Sequence, residues 1–232
     1  MAPLNLAADM GGGAMFLAFG LMAAVYETQK SIQGQVVDCC MTEGAAYLAT
    51  GNFGLTAAGL WSDQREDNIL DGGAPFYRTY ETKDGLFVSI GAIEAKFYAL
   101  LLEKLKLNAE ELPVQMDKSQ WPMMNEKFEK IFKTKTRAQW CEILEGSDVC
   151  FAPVLSFNEA PQHFHNKSRQ SFVEIGGVIQ PGPAPKFSRT PSAVPSIPPF
   201  FGDNTESGLI QWGFSSEEIK ELLKGKIIGW KA

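Results

Sequence analysis

An α/β fold is predicted by three features of the chain. Two strand-like runs, Phe76-Tyr77-Arg78-Thr79-Tyr80 and Leu86-Phe87-Val88-Ser89-Ile90, flank Lys83-Asp84-Gly85, a hairpin signal with a D-G turn. Directly after them, Phe97, Tyr98, Leu101, Leu102 and Leu105 recur at helical spacing. Further helical and strand-like segments then alternate toward the C-terminus. With 232 residues, 45% of them hydrophobic, the chain has enough apolar material for one large domain or two small ones.

The first element is the most apolar. Asp9 precedes Gly11-Gly12-Gly13, and no charge interrupts Met10 to Tyr26 before Glu27, Gln29 and Lys30 follow. A helix that is apolar on all sides is one surrounded by protein. A buried core helix is therefore expected, with Asp9 as its cap and first-turn glycines that let another group approach the backbone. The stretch only just reaches the lower end of the roughly 17–25 residues that span a bilayer. It carries four glycines and has no Lys or Arg upstream, so neither a membrane span nor a secretory signal is expected.

After Gly34, the run Gln35 to Met41 reads as a buried strand or as the entry to a second helix around Gly44 to Leu48; periodicity alone does not choose. Asn52 to Asp71 is mixed and polar and leads into Gly72-Gly73-Ala74-Pro75, a turn expected to separate two domains. The hairpin follows, and Glu94 falls where its second strand gives way to the helix. Phe128, Ile131 and Phe132 mark the next helix. Thr136 with Gln139 forms a capping box for a third, carrying Trp140, Ile143 and Leu144. Val149 to Leu155 is a strand that Pro153 confines to a sheet edge or a bulge. Prolines dominate from Gly176 to Phe201, which predicts an irregular surface connection. Ser215 to Glu218 is a capping box opening a last helix, with Ile219, Leu222 and Leu223 inward and Gly225 as its stop.

The net charge of −6 comes without a block of like charge, which argues against a nucleic-acid face or a polybasic membrane patch and leaves small molecules or proteins as partners. Cys39, Cys40, Cys141 and Cys150 show no C-x-x-C spacing, and no histidine pair lies near them, so a reducing compartment is expected and no zinc site. His163 and His165 sit two apart in a polar stretch and read as surface residues. No G-x-G-x-x-G, G-x-x-x-x-G-K-[ST] or G-x-S-x-G occurs, so nucleotide and hydrolase motifs are absent.

Two carboxylates remain as candidates. Asp9 is either a plain helix cap or a carboxylate held at a helix start, where backbone N–H groups also hold a substrate oxyanion. Glu94 is either a solvated acid favoured by the helix dipole or a group of the same functional kind. Spacing alone leaves both alternatives open.

Ala2-Pro3-Leu4-Asn5-Leu6-Ala7-Ala8-Asp9 with Gly11-Gly12-Gly13, then Gly34-Gln35-Val36-Val37-Asp38, Met41 and Glu43-Gly44, form an ordered set of motifs. Leu70-Asp71-Gly72-Gly73-Ala74-Pro75-Phe76-Tyr77, Gly91-Ala92-Ile93-Glu94, Trp140-Cys141, Pro153-Val154-Leu155 and Phe214-Ser215 continue it over essentially the whole chain. The set resembles the α-methylacyl-CoA racemases of the class III CoA-transferase superfamily.

The resemblance implies a class III CoA-transferase-like α/β fold. Residues 1–70 would form the remainder of a large domain with a linker helix, and 71–185 a smaller α/β domain. Residues 186–232 would be a proline-rich return linker and a C-terminal helix of the large domain. It implies an interlocked homodimer with sites shared between chains, an acyl-CoA substrate, no metal or organic cofactor, and a peroxisomal or mitochondrial setting. The terminal Gly229-Trp230-Lys231-Ala232 is not an S-K-L signal.

The implied activity is epimerisation at C2 of 2-methyl-branched acyl-CoA thioesters by 1,1-proton transfer through an enolate-like intermediate. Asp9 aligns with one acid/base of such enzymes, and Glu94 with a glutamate that supports the other; Gly11, Gly12 and Ile93 fall at substrate-binding positions. The family's second base is a histidine that precedes the Asp9 motif, in an N-terminal half with most of the CoA-binding groups. This chain opens directly on the motif, which implies a C-terminal portion. Lys30-Ser31-Ile32-Gln33-Gly34 also departs from the more basic Arg-Thr-Gly-Lys-Gly run of relatives. Two other readings stand beside this one. One is a CoA-transferase using Asp9 as nucleophile, although transferases tend to have a glycine-rich loop at Gly91-Ala92-Ile93-Glu94. The other is a catalytically silent subunit that binds a partner chain.

Overall fold

The apolar N-terminal stretch forms one continuous helical run, Leu6–Ser31, in the computed structural model, which describes residues 4–194 and 196–229. Ala2 and Pro3 of the first motif and the terminal Trp230-Lys231-Ala232 lie outside the described residues. The chain divides into two units, Met1–Val154 and Leu155–Ala232.

In the first unit the helical run begins with wide π turns over Leu6–Met15 and continues as α1 (Phe16–Ser31). Asp9 lies inside the π segment, and the residue preceding that segment is Asn5; the expected cap at Asp9 is therefore corrected to an interior position. The expected burial is also corrected. Phe19 is 75% and Met22 68% exposed, because α2 (Met41–Leu48) packs against the glycine-bearing start of the run and leaves most of α1 uncovered within this chain. By length and composition the run could cross a membrane, a property it shares with core helices of soluble proteins. Gln35 to Cys40 is not a strand, and Cys40 immediately precedes α2, so the helical alternative holds for this segment. A short helix, α3 (Thr50–Ala57), follows where only a mixed polar stretch was expected.

The hairpin forms as expected. Strands β1 (Tyr77–Glu81) and β2 (Phe87–Gly91) pair antiparallel with Tyr80 opposite Val88, and Gly85 takes φ +74 in the turn. Strand β3 (Phe151–Val154) pairs with β2 on its other side, with Pro153 opposite Val88 on the edge strand that proline requires. The sheet order is β1-β2-β3. Tyr80, Val88 and Ile90 point to one face, which α4 (Ala95–Lys104), α5 (Trp121–Phe132) and α6 (Arg137–Leu144) supply with Leu101, Leu102, Phe128, Phe132, Trp140 and Leu144. Each such fully buried side chain contributes about 1.5–3 kcal/mol. Tyr80 stacks on Phe132 with ring centroids 5.0 Å apart, and its hydroxyl donates to the Pro75 carbonyl at 2.7 Å. The Thr136–Gln139 capping box is present at the start of α6.

The second unit holds α7 (Phe164–Ser168), β4 (Phe172–Ile175), β5 (Val178–Pro181), α8 (Thr205–Gln211) and α9 (Ser216–Lys224). The β4–β5 hairpin interrupts the stretch expected to be irregular. Gly176 and Gly177 take φ +59 and +78 between its strands, a conformation glycine adopts without steric cost. The capping box at Ser215 and Glu218 opens α9, which buries Ile219 and ends at Gly225.

Candidate active site

Asp9 is exposed on the π segment, whose widened turns are marked by the Met10 amide donating to the Asn5 carbonyl at 3.1 Å. Three glycines follow it, and the close approach expected of them is made by α2. A Cβ on Gly12 would lie 2.6 Å from the Ala45 amide nitrogen, and one on Gly13 3.1 Å from Met41 Cγ. Gly44 in turn leaves no room for a Cβ against the carbonyl of Gly12. Gly12 and Gly13 are buried at this crossing, and Gly11 is half-buried beside Leu48. The Cys39 thiol donates to the Gly13 carbonyl at 3.6 Å, and Phe16 meets Tyr47 edge-on at 5.7 Å. These contacts hold the backbone below Asp9 while its carboxyl group stays open.

Glu94 stands at the junction expected for it, as the extended residue (φ −72, ψ 139) before α4. Its side chain makes no capping bond and is exposed. Ile93, half-buried, is held in a tight turn by its amide, which donates to the Gly91 carbonyl at 2.9 Å. The Gly91 amide in turn donates to the Cys150 carbonyl at 2.9 Å. Burial, and after it the nearby carboxylates of Glu94 and Asp148, push the Cys150 thiol above its ordinary value. On the sheet face away from the helices, a cavity of about 420 Å³ is lined by Leu70, Tyr77, Ser89, Gly91 and Cys150.

One contact was not legible in the sequence. Gln115, in the connection between α4 and α5, donates its side-chain amide to the carbonyls of Ala92 (3.0 Å) and Ile93 (2.8 Å). Nothing in the pattern around Gln115 marks it, since its partners lie more than twenty positions away.

No hydrogen bond or ion pair joins Asp9 to Glu94 among the described residues. His163 and His165 lie in the second unit, at the start of α7, where His163 packs on Phe164 at 4.8 Å. Among the described residues no group of three or more His, Cys, Asp or Glu could hold a metal ion. The first unit therefore presents two solvent-facing carboxylates, Asp9 on the segment packed against α2 and Glu94 at the junction before α4, groups suited to accepting, donating or orienting a proton.

The model of CoA-transferase family III matches residues 2–205. The chain is 49% identical to the mouse α-methylacyl-CoA racemase over 229 residues, 97% of this chain and 60% of the relative. It is 46% identical to the human α-methylacyl-CoA racemase over 230 residues, again 60% of that protein. The chain thus spans about 60% of the length of these relatives. The crystal structure of a CAIB/BAIF family protein from Brucella suis has the same fold, with a TM-score of 0.70 over 91% of this chain and 56% of that one, at 15% identity. On the family match and the shared fold, the chain belongs to CoA-transferase family III.

Proposed function

We propose that this chain carries one half of the proton-transfer machinery of a racemase of 2-methyl-branched acyl-CoA thioesters. The observation that carries the reading is the 49% identity to a racemase along 97% of the chain. In this reading the thioester carbonyl acidifies the C2 proton, the Asp9 carboxylate removes it from one face, and an enolate-like intermediate forms. A proton returned by a second group on the opposite face gives the other configuration, and both groups are restored in the reverse direction. General acid–base groups of this kind contribute about 10²–10⁴-fold each.

The glycine-seated π segment supports the role of Asp9, because a base is effective only when its backbone does not yield. Glu94 supports the second base, a histidine in the family. Gly11 and Ile93, both half-buried, belong to the substrate-binding surface in the same proposal, whereas Gly12 is buried against Gly44 and serves it only through the backbone it seats. The proposal also includes the division into large-domain segments 1–70 and 186–232 around a small domain 71–185, the homodimer with shared sites, the absence of a cofactor, and a peroxisomal or mitochondrial setting.

The test is incubation with (R)-2-methylacyl-CoA in deuterated water, with and without a polypeptide carrying the family's histidine segment. Deuterium at C2 and formation of the S epimer are expected in the complemented sample. No exchange in either sample would overturn the reading, and transfer of CoA from the thioester to a free carboxylic acid would identify a CoA-transferase using Asp9 as nucleophile.

A further inference from the structure

Glu94 has an exposed side chain without a capping bond, so its position is set by its backbone. That backbone is held from outside its own element. The segment between the single turns Ala109–Glu111 and Lys118–Gln120 is largely exposed, with Val114 76% and Met116 51% accessible. Gln115 between them is half-buried and turns inward. Its one NH2 group donates to two successive carbonyls, Ala92 and Ile93, which lie outside both β2 and α4 and so lack a ladder or helix partner. Gln115 is itself anchored, because the Trp121 indole donates to its main-chain carbonyl at 3.0 Å and Trp121 is buried against Phe76.

The peptide unit is planar, so fixing the Ile93 oxygen also fixes the Glu94 nitrogen and the direction in which Cα of Glu94 departs. Fixing the Ala92 oxygen as well removes the rotation that would let Ile93 and Glu94 swing together. Without those two donors the carbonyls would turn toward water, and the junction would lose the restraint that aims Glu94. We propose that Gln115 is a positioning residue for Glu94. It acts through the Ala92–Ile93 backbone without touching substrate, and this assignment rests on the racemase reading for its functional consequence.

Gln115→Met keeps the length of the side chain and removes both donors; Gln115→Glu keeps the shape and replaces the donor with an acceptor. Both are to be made in the full chain, with Asn108→Ala as a control that removes a cap in the same connection without reaching Ala92 or Ile93. The first readout is hydrogen exchange of the Ile93 amide, which is bonded to the Gly91 carbonyl. In both Gln115 variants it is expected to exchange about tenfold faster, while Val88 in the sheet keeps its rate and Asn108→Ala changes neither. The second readout is C2 deuterium exchange in the complemented protein, where kcat is expected to fall about tenfold with KM unchanged.

An unchanged Ile93 rate in both variants overturns the proposal, as does a loss confined to KM. If the unsubstituted complemented protein shows no C2 exchange, the racemase reading fails. The Ile93 rate then still decides whether Gln115 holds the junction. Should Gln115→Met fail to fold, Gln115→Glu carries the same two readouts.

Discussion

Gly12 and Gly44 meet backbone to backbone: a Cβ on Gly12 would stand 2.6 Å from the Ala45 nitrogen, and one on Gly44 would overlap the Gly12 carbonyl. This contact, 32 positions apart in the chain, seats the π segment that carries Asp9 on α2. Neither glycine has a positive φ, so space and not backbone freedom demands the residue. Gly44→Ala is therefore expected to cost about 1–3 kcal/mol, in the range for overpacking. Gly54→Ala in α3, where a Cβ meets nothing within 4 Å, is expected to be neutral or to stabilise by up to about 1 kcal/mol. Urea denaturation of the two variants checks the contrast; equal effects would show that the crossing does not demand glycine at position 44.

If Asp9 removes the C2 proton, Asp9→Asn lowers deuterium exchange of the complemented protein by about 10²–10⁴-fold. Glu94→Gln, which keeps hydrogen bonding but removes the charge, is expected to lower kcat by a smaller factor with little change in KM. Asp9 faces solvent, so its amide variant should keep the denaturation midpoint of the parent chain. Untouched exchange in Asp9→Asn would exclude it as the base.

Asp71 ties the loop that leads into the hairpin. One of its oxygens accepts from the Asn68 amide (2.8 Å) and the Gly73 amide (3.1 Å), and the other from the Asn68 side chain (2.8 Å). Partial burial opposes its ionisation, but the hydrogen bonds from Asn68, Gly73 and Asp67 outweigh it and hold the carboxyl below its ordinary value. A group with a depressed folded-state pKa stabilises fully above its unfolded value of about 3.9 and loses that contribution as pH falls through the folded value. Stability should therefore hold from neutral pH down to about 5 and decline below it. Asp71→Asn should lower the plateau and flatten the decline, as read from thermal midpoints at successive pH values.

The core of the small sheet is sensitive to cavities. Phe132 is fully buried, stacks on Tyr80 and lies 5.0 Å from Trp140, whose indole donates to the Phe132 carbonyl at 2.8 Å. Phe132→Ala is expected to cost about 3–5 kcal/mol, measured by the shift of the denaturation midpoint. Tyr80 is buried beside it, and that burial raises its phenol pKa, so its absorbance should stay that of the neutral phenol in alkali that titrates exposed tyrosines.

The bare face of α1 also has a measurable consequence. Phe19, Met22 and Val25 leave 75%, 68% and 53% of their surface accessible, and patches of this kind drive association. The isolated chain is expected to self-associate with rising concentration. Charged replacements at Phe19 and Met22 are expected to shift sedimentation toward the monomer, and unchanged sedimentation would show that this face is not the driver.

Local signals were readable wherever a few neighbouring residues decide the outcome. The D-G hairpin, the capping boxes at Thr136 and Ser215, the apolar stripe of α4 and the edge placement of Pro153 all follow from turn geometry, missing donors or side-chain period, and each is present as expected. The Gly176-Gly177 hairpin carried a comparable signal, obscured by the prolines around it.

By itself the sequence determined the family motifs, the two carboxylates and the type of most elements in the first unit, because these depend on residue identity and short spacing. Only the tertiary structure decided that Asp9 lies inside a π segment instead of capping a helix, and that its glycines serve the crossing with α2. Tertiary structure also decided that α1 is largely bare in this chain and that Gln115 clamps the turn before Glu94. Each of those outcomes depends on which distant backbone arrives at a given surface. Composition and periodicity describe what a segment can bury or bond, and packing alone selects the partner that does so.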